Sequence, residues 1–439
     1  MDLGFETIGN ATLIAHDRGP VLVTDPWILG DAYFGSWIRS HEIPAEVMSS
    51  IRSAKFAWIS HGHPDHLSLE SLEAIKHQTI LLPDHVGSRI AGDLREMGYK
   101  VQVLADGVWT PLTDRLRVAC VSDFNQDAML FLEFEGGVLV INANDATDRG
   151  VGDFLVSQIA RAKVSYLLWL TGYGDADMLN VHDESGKLIL PGAAAKHPIG
   201  PTIQGVLEAL GIRYFIPFSS MHRYQRADSI WANEYTTPIE DHAKGFDSKK
   251  SEILPAFARV DLANDRVERI ECAPVTDCIV DPKQFGDDWS EQLSSEEARD
   301  LREYLRGVHH LTTFLDFVEF RVGGRSHVID LGKGHGRGLR FETPRGSLVT
   351  AVKYKIFDDL MIGNFTRTTL LGKHERTGTA ALYPHFIPFI AKYADNGLAR
   401  TPEELRRYFE SYKKRGFLNF FRSVAAQEAA AAIRPYLPE

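Results

Sequence analysis

Short apolar runs separated by polar turns dominate the first half of the chain and predict a strand-rich opening. In ATLIAHDRGPVLVTDPW two such runs are split by the turn-forming Asp17-Arg18-Gly19-Pro20. KFAWIS, TILLP and KVQVLA follow with helix-like stretches between them. LRVACVS, AMLFLEF and GVLVINA then come in quick succession, with Gly136-Gly137 marking a hairpin, and VSYLLWL and YFIPFSS close this half. Strands mixed with helices predict a layered α/β or α+β core. Past about residue 240 the texture changes. DHAKGFDSKKSE reads as a loop, and ILPAFARVDLANDRVERIEC as a hairpin about Asn264-Asp265. EQLSSEEARDLREYLRG is helical, with acids early and arginines late, and TPEELRRYFESYKKR is a second helix. The division expected is 1–285 and 286–439, the second part a smaller α+β domain serving as a cap or a homodimer contact. The closing FLNFFRSVAAQEAAAAIRPYLPE lacks a basic face, so it reads as a docked helix rather than a membrane-surface one.

Composition narrows the class. A chain of 439 residues with 44% apolar and 24% charged content is an ordered globular protein. The net charge of −11 argues against a nucleic-acid partner. No apolar run approaches the ~20 residues that cross a bilayer, and the opening MDLGFETIGNATLIA has no basic region before an apolar one, so neither membrane nor secretory signal is expected. Three cysteines, Cys120, Cys272 and Cys278, speak for a reducing cytoplasm rather than a disulfide framework.

The chemistry concentrates in Ser60-His61-Gly62-His63-Pro64-Asp65-His66, between the apolar KFAWI and the helical LSLESLEAI. Four ligand-type side chains on one strand-to-helix turn have no packing purpose. On extended backbone His61 and His63 point the same way and can grip one metal, while Asp65 and His66 can turn toward a second.

This H-x-H-x-D-H pattern resembles the metallo-β-lactamase superfamily, which implies an α+β fold, the αββα sandwich, with two metal ions at one edge. By that resemblance Asp145, just past GVLV, matches the aspartate that bridges both metals, and His222, just past YFIPFSS, matches the final histidine. His182, His197 and His242 are rivals for that last role. The family's third ligand is usually a histidine, but the matching segment here is VSDFNQD. Asp123 stands in its place, with Asn125 and Asp127 as substitutes, or the first metal keeps an open position. The implied set is His61, His63 and Asp123 on one metal, and Asp65, His66 and His222 on the other, with Asp145 between. Asp145 and Asp65 are the expected catalytic carboxylates. Asp25 matches a family aspartate that holds a ligand histidine from behind, or simply ends a strand before proline. Arg223, Tyr224 and Arg226 beside His222 are candidates to meet a phosphate or carboxylate of the substrate. Trp231, Asn233, Glu234 and Tyr235 suit a pocket wall or a buried polar network. Gly332–Gly338 reads as a basic hairpin loop, and Asp358-Asp359 as capping or turn residues in a C-terminal part that stays clear of the metals.

A narrower resemblance is to the CMP-N-acetylneuraminate hydroxylases. It is carried by WISHGHPDHLSLESLEAI, INANDAT, PFSSMHRYQRADSIWANEYTT and KIFDDLMIGNF. It implies O2-dependent hydroxylation of a small polar substrate such as an N-acyl sugar nucleotide. Those enzymes also carry a Rieske domain. The three cysteines here have no Rieske spacing, so no iron–sulfur cluster is expected in this chain and a separate electron-transfer protein is implied. Oxygen-rich ligation favours iron, with zinc or manganese as alternatives. The competing expectation is a zinc or manganese metallohydrolase acting on a phosphoester, amide or lactone.

Overall fold

The computed structural model describes residues 1–146, 152–173, 178–190, 195–276, 278–383 and 386–416. The C-terminal segment read above as a docked helix lies outside the described residues.

Two mixed sheets face each other. The first has eight strands, in the spatial order Arg266–Arg269, Ala258–Asp261, Leu3–Ile8, Thr12–Asp17, Pro20–Thr24, Phe56–Trp58, Thr79–Pro83 and Lys100–Leu104. Its first five strands are antiparallel and the remaining pairings parallel. The second has seven, in the order Glu252–Ile253, Tyr214–Pro217, Val164–Trp169, Val138–Asn144, Ala128–Phe134, Leu116–Ser122 and Thr110–Pro111.

Period-two alternation sorts each strand between two cores. Leu130 and Leu132 pack between the sheets with Leu13, Leu22 and Trp58, whereas Met129 and Phe131 face the outer helices. Helices Ala45–Ser53, Leu69–Ala74 and Arg89–Glu96 cover the outer face of the first sheet through Val47, Ile51, Leu72 and Leu94. Gly152–Ile159 and Gly200–Leu210 cover the second through Leu155, Ile203 and Leu207. Burial on both faces explains why the strands read as nearly continuous apolar runs. The four layers, helix–sheet–sheet–helix, are the αββα architecture that the metallo-β-lactamase resemblance implies, and the fold is α+β. Gly136 and Gly137, both at positive φ, make the tight hairpin between Ala128–Phe134 and Val138–Asn144.

The C-terminal part carries a five-stranded sheet ordered Val181–His182, Arg367–Gly372, Arg337–Glu342, Phe317–Val322 and Arg325–Asp330. Ser294 and Glu297 form a capping box on the helix Ser295–Arg306, as Thr401 and Glu404 do on Pro402–Arg415. The expected boundary near residue 285 is crossed by packing. Val181–His182 pairs in parallel with Arg367–Gly372, and Trp27, Tyr33, Trp37, Phe124 and Tyr224 share one core with Leu305, Phe357 and Phe386. The two parts therefore meet over a common apolar interior, directly beside the histidine-rich turn. No helix among the described residues is long and apolar enough to cross a membrane.

Candidate metal centre

The residues singled out in the first half sit just past strand ends on one edge of the sandwich. Asp25 follows Pro20–Thr24, the H-x-H-x-D-H turn follows Phe56–Trp58, Asp145 follows Val138–Asn144, and His222 lies beyond Tyr214–Pro217. The backbone is unusual here. Asp25, Asn144, Ser219 and Ser220 all take positive φ without being glycine. Such conformations persist only where surrounding contacts fix them, and they cluster at functional sites.

His61, His63 and Asp145 bring ligand-type atoms within 4.8 Å of one another. His61 Nε2 is 2.9 Å from His63 Nδ1 and 3.9 Å from Asp145 Oδ2. His66 Nε2 lies 3.3 Å from Asp65 Oδ2 and 3.4 Å from Asp145 Oδ2, so Asp145 stands between the two histidine groups. Behind the cluster, Asp25 Oδ2 is 3.1 Å from His66 Nδ1, and Asp25 Oδ1 accepts the Ser60 amide at 2.7 Å. His222 begins the strand His222–Tyr224, which pairs with Trp37–Arg39 in a ribbon outside the main sheets. Its ring stacks on Trp37.

The charge balance follows from burial. Burial, then the neighbouring His66 and His63, hold His61 well below the usual histidine value, so it is a neutral lone-pair donor. Burial pushes His222 down to about 3. Burial opposes charge on His66, yet Asp65, Asp145 and Asp25 around it raise its proton affinity well above the ordinary value. Burial would raise Asp65, but His66, His63 and the Tyr33 hydroxyl hold it below the carboxylate range. A positive charge is thus in demand among these carboxylates.

The donor set fits a pair of metal ions. His222 Nε2 is fully buried and has no hydrogen-bond partner among the described residues, an orphaned lone pair that costs free energy unless something binds it. Two imidazole nitrogens 2.9 Å apart in His61 and His63 likewise suit a shared cation.

Two of the expected residues make other contacts. Asp123 does not join the group formed by His61, His63 and Asp145. Its Oδ1 instead accepts the backbone amides of Asn125 at 2.7 Å and Asp127 at 3.2 Å, closing a local turn, as Asp commonly does. The carboxylate beside His63 comes from the C-terminal part. Asp358 Oδ2 is 3.0 Å from His63 Nε2, and His63, Asp358 and Asp359 form a second group within 4.8 Å. Arg226 is not open to substrate. It is fully buried, pairs with Asp228 and with Asp287 at 2.8 Å, donates to Phe34 O, and lies 4.0 Å over the Phe365 ring. Tyr224 is buried too, its hydroxyl accepting from Asn364 Nδ2 at 2.8 Å, while Arg223 alternates to the opposite side of the strand and is half-buried.

The rival histidines make other contacts. Both ring nitrogens of His242 face carbonyl oxygens, of Ile239 and Thr171, at 2.9 Å. His182 lies in the edge strand of the C-terminal sheet, and His197 is exposed. Asn233 brackets the Tyr224 backbone, and Asp316 accepts the amides of His335 and Gly336. The glycine-rich loop is not the expected hairpin: it joins Arg325–Asp330 to Arg337–Glu342, which flank Phe317–Val322 instead of pairing with each other.

Sequence reasoning missed three supports. Asn10 Nδ2 donates to Asp65 Oδ2 at 2.8 Å while its Oδ1 accepts the Met221 amide at 2.7 Å. The Tyr33 hydroxyl donates to Asp65 Oδ1 at 2.5 Å, and Ser219 Oγ donates to Asp145 Oδ1. No motif marks them, since each sits in a loop far along the chain from its partner. Above the cluster opens a cavity of about 280 Å³, walled by Tyr33, Trp37, Thr171, Tyr173, Thr237 and His242, with His63, Asp65 and Asp145 on its floor. That wall is aromatic and hydroxyl-bearing, which suits a small polar ligand.

No protein-family model matches the chain. In sequence it is similar to the cytidine monophosphate-N-acetylneuraminic acid hydroxylases. The Danio rerio protein is 30% identical over 135 residues, 29% of this chain and 23% of that protein. The Asterias rubens protein is 25% identical over 167 residues, 35% of this chain and 25% of that one. The Sus scrofa protein is 27% identical over 135 residues, 29% of this chain and 31% of that one. The match thus spans less than a third of these relatives' length. Among solved structures, the chain is similar to CmlA, a diiron beta-hydroxylase from Streptomyces venezuelae, with TM-score 0.37 and 14% identity over 61% of this chain and 54% of that one. It is also similar to a possible metal-dependent hydrolase from Veillonella parvula, with TM-score 0.38 and 12% identity over 55% of this chain and 91% of that one.

Proposed function

We propose that this chain is a dinuclear-metal enzyme and that its reaction is O2-dependent hydroxylation, at a diiron centre, of a small polar substrate of the N-acyl sugar-nucleotide kind. His61, His63 and Asp145 would hold one ion, and Asp65, His66 and His222 the other, with Asp145 shared. The observation that carries the reading is the gathering of His61, His63, Asp65, His66 and Asp145 beneath an open cavity, together with a buried His222 Nε2 left unsatisfied among the described residues. Preference for hydroxylation over hydrolysis rests on the hydroxylase relatives and on the share of carboxylates in the set.

Bound iron would supply the redox couple that O2 reduction needs and that zinc lacks. The protein's own groups prepare the site. Asp25 accepts from His66 Nδ1 and so leaves Nε2 with its lone pair toward Asp65 and Asp145. Tyr33 and Asn10 donate to the two oxygens of Asp65, fixing the carboxylate plane and holding it ionised. Ser219 orients Asp145 by its Oδ1 and leaves Oδ2 facing the histidines. Trp37 seals one side of His222 from water. The Thr237 hydroxyl at the cavity wall accepts the Tyr173 amide and keeps its own proton to donate to a polyhydroxylated substrate, while the Tyr173 hydroxyl is held by Asp241. Electrons would be delivered by a separate protein.

The test is activity of iron-loaded and zinc-loaded protein, with and without O2, on N-acyl sugar nucleotides and on phosphoesters. Hydroxylated product from the iron form alone, with stoichiometric O2 consumption, is expected. Turnover by the zinc form under anaerobic conditions would replace this reading with the hydrolase.

A further inference from the structure

The C-terminal part of the chain reaches the histidine cluster through a hydrogen bond between Asp358 and His63. Asp358, on the short helix Phe357–Ile362, is buried, and its Oδ2 lies 3.0 Å from His63 Nε2. The other nitrogen of that ring, Nδ1, lies 2.9 Å from His61 Nε2, on the side where His61 and Asp145 gather. A neutral imidazole has one proton for two nitrogens, so an acceptor at one of them decides which keeps its lone pair. A carboxylate at Nε2 draws the proton there and leaves Nδ1 free to bind.

The first half of the chain does the same to His66 with the nitrogens exchanged. Asp25 faces Nδ1 at 3.1 Å, and Nε2 faces Asp65 and Asp145. Each of the two histidines therefore has one nitrogen on a buried carboxylate and the other toward the cluster. For His66 that carboxylate comes from the same sheet. For His63 it comes from 295 positions further along the chain.

We propose that Asp358 is a positioning residue for the metal centre. It fixes His63 in the tautomer that presents Nδ1, so a donor on the first half of the chain is set by the second half. This rests on the reading that His61, His63 and Asp145 hold a metal. The C-terminal part then completes the site rather than only covering it, and the shared core around Tyr33, Trp37 and Phe357 keeps Asp358 in register with His63.

The test uses the full chain loaded with zinc, which is diamagnetic, in four forms: unaltered, Asp358→Asn, Asp358→Glu and Asp395→Asn. Zinc affinity is measured by chelator competition, and the ring protons of the histidines by nitrogen-resolved NMR. Asp358→Asn is expected to weaken zinc binding about 10–100-fold and to abolish the exchange-protected Nε2 proton of His63, because an amide can donate to Nε2 and favour the other tautomer. Asp358→Glu is expected to restore both within a few-fold. Asp395→Asn, which disturbs a buried carboxylate held by Tyr304 and Arg400 in the same part of the chain, is expected to keep the unaltered affinity, separating positioning from loss of fold. Asp358→Asn with undiminished affinity and an intact Nε2 proton would overturn the inference. So would loss of one whole equivalent of metal with that proton retained, which would make Asp358 a ligand. If the unaltered protein takes up no zinc, the reading of the site itself fails, and this inference fails with it.

Discussion

Trp37 lies flat on the imidazole of His222, with ring centroids 3.3 Å apart and planes 2° from parallel. The stack follows from the two-stranded ribbon in which Tyr224 pairs with Trp37 and His222 with Arg39. Tyr33 and Tyr224 meet the same indole edge-on, so one tryptophan ties the histidine to the aromatic core shared by both parts of the chain. Trp37→Ala should lower unfolding free energy by about 3–5 kcal/mol, as expected for a buried aromatic. Trp37→Phe should recover much of it. Urea titration checks both, and an unchanged midpoint for Trp37→Ala would refute the role.

Asp123 serves its own turn. Removing its carboxylate strands the amides of Asn125 and Asp127, which Oδ1 now satisfies. Asp123→Ala should therefore cost about 1–3 kcal/mol of stability while leaving metal content, by elemental analysis, unchanged. Loss of a metal equivalent in Asp123→Ala at full occupancy of the fold would restore it to the ligand set.

Arg226 and Asp287 form a buried pair at 2.8 Å, with Asp287 also accepting from Ser347. Truncating one partner leaves the other charge buried and unpaired. Arg226→Ala should lower stability by about 3–5 kcal/mol. In the fraction that remains folded, substrate KM should be unchanged, which distinguishes a structural clasp from a substrate contact.

His310 makes stability depend on acid. Burial lowers it from the ordinary value of 6.5 to about 4, and Ala399 O receives its Nε2 at 3.3 Å. A histidine with a depressed folded value takes up its proton later than the unfolded chain does. Its contribution is full above about pH 6.5 and is lost progressively as pH falls through about 4. Thermal melts across that window should show His310→Gln less acid-sensitive than the unaltered protein. Parallel slopes would refute it.

Much of this architecture was legible because it is written locally. The apolar run AMLFLEF marked a strand, Gly136-Gly137 announced its hairpin, and the acids early and arginines late in EQLSSEEARDLREYLRG marked a helix. The cluster His61, His63, Asp65 and His66 was readable for the same reason, since one strand-end turn holds all four.

What the sequence determined alone was therefore everything set within a turn or a strand: the layers, the caps and the histidine-rich corner. Only the tertiary structure decided which distant groups complete that corner. Asp358 reaches His63, Asn10 and Tyr33 hold Asp65, and Ser219 holds Asp145. It also decided that Arg226 is enclosed between Asp228 and Asp287, and that Asp123 is turned to its own loop. The physical reason is that backbone periodicity and capping are short-range and leave a pattern in neighbouring residues. The partner of a buried charge is chosen by which surfaces the fold presses together, and no nearby residue records that choice.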